Sequence, residues 1–125
     1  MKIICVGQNY LEHIKELSNI KSKEPLVFLK PDTALISKGR SFFIPNFSKD
    51  IHYELEVVIK IKKPGRYIER KYSNQYYDEI TVGIDFTARD LQKKLREKGH
   101  PWEKSKGFDG STLVGNFLNK NDLPP

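Results

Sequence analysis

The ten residues His52-Tyr53-Glu54-Leu55-Glu56-Val57-Val58-Ile59-Lys60-Ile61 constrain this chain more than any others. The run is β-branched and apolar enough to predict a buried strand. Two carboxylates nevertheless stand near its start. Side chains alternate between the two faces of a strand, so Glu54 and Glu56 share one face, with His52 beside them. Like charges that close repel each other, and burying them is costly unless something compensates. A divalent cation does so economically, and ligands that are all oxygen favour a hard one such as Mg²⁺, Mn²⁺ or Ca²⁺. The same pattern also describes the ordinary solvated face of a half-buried sheet. This stretch alone leaves both readings open.

With 125 residues the chain has material for one modest core, and residues 1–125 read as a single domain. The net charge of +6 comes from 22 basic and 16 acidic residues spread along the chain. No block of like charge and no basic-aromatic platform predicts nucleic-acid binding. No apolar run has membrane-spanning length, and the N-terminus lacks a targeting pattern, so a soluble cytoplasmic protein is expected. The single cysteine, Cys5, lies in the apolar run Ile3-Ile4-Cys5-Val6 and reads as a buried thiol.

Taken in order, Lys2 to Val6 predicts a short strand. Asn9 with Glu12 three residues on predicts a helix start, with the helix running from Tyr10 to Leu17. His13 and Glu16 are neighbours on that helix, a pairing that suits either a general base with its orienting carboxylate or a plain surface pair. Leu26 to Pro31 predicts a strand ending in Lys30, which could hold an anionic group or reach out to water. Turns are expected at Asp32-Thr33 and Lys38-Gly39, and an edge strand at Phe42 to Pro45. Lys62 to Gly65 predicts a type II turn, and Glu69 to Tyr77 a short helix.

Ile80 to Thr87 is the second unusual strand, because Asp85 interrupts an apolar run. Thr87 with Asp90 predicts the start of a helix reaching Lys98 and ending at Gly99. Ser105 to Gly110 reads as a glycine-rich loop around Lys106, and Val114 to Leu118 as a last strand. The local reading is a mainly β domain with two or three short helices, an α+β class.

Several of these pieces together resemble the fumarylacetoacetate hydrolase family, in its smaller acylpyruvase-like branch. The resemblance rests on Gly7-Gln8-Asn9-Tyr10 with His13 and Glu16, Phe28-Leu29-Lys30-Pro31, His52-Tyr53-Glu54-Leu55-Glu56, Asp85-Phe86-Thr87-Ala88-Arg89-Asp90 with Gln92, Gly99-His100-Pro101-Trp102, and Lys106. It implies that Glu54, Glu56 and Asp85 bind one Mg²⁺ or Mn²⁺. It implies that His13, Glu16 and Lys106 are catalytic, with the His13–Glu16 dyad activating water. Lys30, Arg89 and Gln92 would lie near the substrate or support the metal. The implied fold is the N-terminal and central part of a mixed β-roll, and the implied assembly is a homodimer. Gln8 stands where relatives often carry Arg, and the relatives' G-T-P-x-G segment is not among these 125 residues. The implied activity is hydrolysis of a C–C bond in an acylpyruvate or related β-diketo acid. Oxaloacetate decarboxylation or tautomerisation on the same site is the alternative, and a catalytically incomplete fragment is another.

Overall fold

Strand β3, Ile51–Ile61, pairs antiparallel along its whole length with β4, Tyr77–Ala88. The other side of β4 takes two short strands, β5 (Thr112–Val114) and β6 (Leu118–Asn119). β1 (Ile3–Gly7) and β2 (Leu26–Lys30) form a separate antiparallel pair. Helix α1 (Arg89–Glu97) follows β4 directly, and α2 (Glu103–Lys106) is one short turn. This computed structural model describes residues 1–10 and 24–123. The expected helix from Tyr10 to Leu17, with His13 and Glu16, lies outside the described residues apart from Tyr10.

The register between β3 and β4 decides where the charges meet. Glu54 stands opposite Asp85, Glu56 opposite Gly83, and His52 opposite Thr87. Directly paired residues share a face, so all three carboxylates lie on one side of the sheet. That side is the inner one. Asp85, Gly83 and Thr87 are buried, while Tyr53 (78% exposed), Leu55 (65%) and Ile61 (66%) face outward. The sheet therefore reverses the usual amphipathic order. Among the described residues the buried hydrophobic side chains are only Ala34, Ala88 and Leu95. The buried polar set is larger and includes Lys30, Asp85, Thr87, Gln92, Ser105, Lys106, Ser111 and Thr112.

The end of α1 follows the expected chemistry. Gly99 adopts φ 64°, its N–H donates to the Arg96 carbonyl (3.0 Å), and His100 N–H donates to the Leu95 carbonyl (2.8 Å). That pair of bonds is a Schellman closure, which needs a residue in the left-handed region.

Several local expectations are corrected. Phe42 to Pro45 forms no strand; Pro45 lacks a donor, and Phe42 instead stacks on Phe86 at 3.7 Å. No residue from Lys62 to Gly65 adopts a positive φ, so no type II turn forms there; the left-handed residue follows at Tyr67 (φ 53°). Gly65 serves close approach instead, since an added Cβ would stand 2.5 Å from the Tyr76 ring. The Glu69 to Tyr77 segment is a 3-10 helix over Arg70–Gln75, and Tyr77 already belongs to β4. Thr87 does not cap α1: Ala88 occupies that position, and the Thr87 hydroxyl serves Lys106. The loop around Lys106 begins as the helical turn α2. The last strand divides into β5 and β6 around Gly115, whose N–H donates to the Val82 carbonyl (2.9 Å). No helix among the described residues is long and apolar enough to cross a membrane.

Gly83 lets β5 approach β4. A Cβ there would stand 2.8 Å from both the Leu113 carbonyl oxygen and Val58 Cγ2. Gly83→Ala is expected to cost about 1–3 kcal/mol in urea unfolding, as overpacking does. Unchanged stability would show that β5 shifts freely.

Candidate functional site

Lys106 reaches the inner face of the sheet because α2 is held at both ends. The N–H groups of Ser105 and Lys106 both donate to the Trp102 carbonyl (2.8 and 3.0 Å), and the Ser111 hydroxyl donates to the Lys106 carbonyl (2.8 Å). Trp102 packs against Phe28 of β2 with ring centroids 6.0 Å apart. From this anchor, Lys106 Nζ donates to Glu54 Oε2 (2.5 Å), Thr87 Oγ1 (2.6 Å) and Asp85 Oδ2 (2.8 Å). All three ammonium protons have acceptors.

A second lysine closes on Asp85 from the other side. Lys30 Nζ lies 2.6 Å from Asp85 Oδ1 and donates to the Ser111 carbonyl (2.8 Å) and Thr112 Oγ1 (3.0 Å). Its side chain has no exposed surface, so Lys30 neither opens to solvent nor reaches for water. Burial pulls the Lys30 ammonium below its ordinary range, and the Asp85 charge opposes that shift. That 2.6 Å contact pairs Asp85 Oδ1 with the Lys30 ammonium.

Arg89, the first residue of α1, binds Glu54 Oε1 and donates to Gln92 Oε1 one turn on (2.5 Å). Its Nε donates to His52 Nδ1 (3.4 Å), and His52 Nε2 lies 3.1 Å from Asp50 Oδ1. With Nδ1 accepting, Nε2 carries the proton and donates to Asp50. Burial pushes the Glu54 carboxyl up, but Lys106 and Arg89 outweigh it and hold the group below the usual carboxylate range. Glu56 differs: burial and then the Glu54 charge push it up, with the Tyr10 hydroxyl as its hydrogen-bond partner. Cys5, half-buried beside the cluster, is pushed up to about 11, mainly by burial and then by Asp85, so it stays a thiol at neutral pH.

The structure thus brings Glu54, Asp85, Lys106, Lys30, Arg89 and Gln92 into one connected network, with Glu56 on the same sheet face. His13 and Glu16 lie outside the described residues. Among the described residues, no three acidic, histidine or cysteine side chains close into a ready metal cluster. Lys106 stands between Glu54 and Asp85, and Glu56 is turned to Tyr10. The donor chemistry still fits a hard divalent cation, because three carboxylates share one face of the sheet. Sequence reasoning missed Thr87, Ser111, Thr112 and Tyr10 as supports. Thr87 was within reach, because it lies two residues beyond Asp85 on the same strand face.

A family profile described as "Fumarylacetoacetate (FAA) hydrolase C-terminal" matches residues 2–125. The mitochondrial oxaloacetate tautomerase of Caenorhabditis elegans is 37% identical over 123 residues, covering 98% of this chain and 58% of that protein. The Escherichia coli K12 oxaloacetate tautomerase YcgM is 36% identical, covering 94% of this chain and 53% of its own length. Among solved structures, fumarylpyruvate hydrolase from Pseudomonas aeruginosa, in complex with Mn²⁺ and pyruvate, superposes with a TM-score of 0.88 at 34% identity. That match covers 98% of this chain and 55% of the other. The chain spans about half the length of the curated relatives it matches.

Asp85→Asn leaves two buried lysines without a shared counter-charge, and is expected to destabilise the fold by about 3–5 kcal/mol in chemical unfolding. Glu54 gives a pH signature. Because its folded pKa is depressed, its contribution is present above the unfolded carboxylate range and is lost as pH falls through the folded value. Glu54→Gln is expected to flatten that part of the acid limb in a stability-versus-pH series. An unaltered limb would show that the ion pairs add nothing.

Proposed function

This chain belongs to the fumarylacetoacetate hydrolase family, and we propose that it carries the metal-binding and charge-stabilising part of an enzyme that enolises a small keto acid such as oxaloacetate. The observation that carries this reading is the ring of Lys106, Lys30 and Arg89 around the facing carboxylates Glu54 and Asp85. A divalent cation, Mg²⁺ or Mn²⁺, held by Glu54, Glu56 and Asp85 would supply Lewis-acid polarisation of the keto-acid oxygens. Lys106 then provides the mobile positive charge for the developing enolate oxygen. Lys30 stays with Asp85 and β5, keeping one ligand in place. Arg89, steadied by Gln92, orients Glu54 from its outer oxygen. By the family resemblance, His13 with Glu16 would move the proton between carbon and oxygen. The relatives described as oxaloacetate tautomerases support this substrate class.

A second reading, hydrolysis of an acylpyruvate C–C bond, is favoured by the match to fumarylpyruvate hydrolase. In it His13 deprotonates water, which attacks the distal acyl carbonyl, and the pyruvate enolate leaves. Both readings share the cation cluster and differ in the need for water.

Melting of the full chain with Mn²⁺ at about 100 times its Kd is expected to show about 2.7 kcal/mol of added stability, absent in Glu54→Ala. Oxaloacetate enol-to-keto conversion, followed by ultraviolet absorbance, should require the metal and fall with the same substitution. Acylpyruvate cleavage without oxaloacetate enolisation would replace the first reading by the second. Neither activity, with metal binding intact, would leave the chain a catalytically incomplete part.

A further inference from the structure

The facing carboxylates Glu54 and Asp85 already hold a cation in common, the ammonium of Lys106. It lies 2.5 Å from Glu54 Oε2 and 2.8 Å from Asp85 Oδ2, between the two carboxylates. Among the described residues, the carboxylates Glu54, Glu56 and Asp85 face three cations, Lys30, Lys106 and Arg89. A divalent cation added to that half-buried group brings two further positive charges into poor contact with water. The place between Glu54 and Asp85 is already taken by a resident cation.

The three cations are not equally free to move. Lys30 is tied to a backbone carbonyl and a hydroxyl around β5 as well as to Asp85, and its side chain is wholly buried. Arg89 binds the other oxygen of Glu54, Oε1, and is braced by Gln92 and His52. Lys106 alone lies between the two carboxylates. Its third contact is a hydroxyl, Thr87 Oγ1, and the Phe28 ring centroid stands 5.5 Å away as a cation–π face.

We propose that Lys106 is the exchangeable counter-ion of this site. A divalent cation that takes Glu54 and Asp85 displaces the ammonium, so metal loading and the release of Lys106 toward substrate are one event. The inference rests on the metal-binding reading above, and its test separates the two.

Lys106 is shielded, with 4% of its side chain exposed. Brief acetylation of the full chain, read by mass spectrometry with and without Mg²⁺, should show Lys106 modified several-fold faster with the metal and Lys30 unchanged. Mn²⁺ titration should show Lys106→Gln binding several-fold tighter than the unsubstituted chain, because a competing charge is removed. Lys106 labelling that stays level or falls in a chain that binds Mn²⁺ overturns the exchange and spares the metal site, whatever the variant does. Absence of Mn²⁺ binding in both chains overturns the two together. Binding by Lys106→Gln alone is the strongest form of the exchange.

Discussion

Asp85 receives two lysines at once, Lys30 at one oxygen and Lys106 at the other. Much of the architecture serves to make that meeting possible. Lys30 brings β2 to β5 through the Ser111 carbonyl and Thr112 hydroxyl. Lys106 brings α2 to the inner face of β3 and β4. Arg89 extends the same chain of charge through Glu54 to the start of α1 and on to His52. An ion pair this buried adds little net stability over an apolar packing, because desolvation offsets the attraction. Its value lies in specificity: removing any one member strands another in the interior.

The sheet is built around that requirement. β3 turns its acidic side inward and leaves Tyr53, Leu55, Val57, Ile59 and Ile61 exposed. Among the described residues, buried polar and charged side chains outnumber buried hydrophobic ones, so hydrogen bonds and charge pairing carry much of the interior.

Local patterning made the main strands legible: alternation in β3, the apolar run of β4, and the Gly99 stop after α1. Asp85 stood out because an acid interrupts a run that should exclude acids. What local sequence could not supply was register. Nothing within His52 to Ile61 says that Glu54 faces Asp85 rather than Gly83, since that pairing is made by residues some thirty positions away. The same gap hid the role of Thr87, which looked like a cap because a cap is a local signal, whereas its bond to Lys106 is a tertiary one. Lys30 left two readings open for the same reason: a partner distant in sequence decided between burial and water. The family resemblance grouped Glu54, Glu56, Asp85 and Lys106, and the structure shows all but Glu56 joined directly, with Glu56 on the shared face.

Enolate chemistry needs positive charge that is present before the reaction and aimed at the oxygen where negative charge grows. In the proposed function this network would supply such charge, and the facing carboxylates would supply hard oxygen donors for the metal. The account depends on one location. Anomalous diffraction at the manganese edge from crystals soaked in Mn²⁺ tests it most directly. The account predicts a single peak at bonding distance from oxygens of Glu54, Glu56 and Asp85. A peak elsewhere, or protein crystals that take up no manganese at this face, would contradict it.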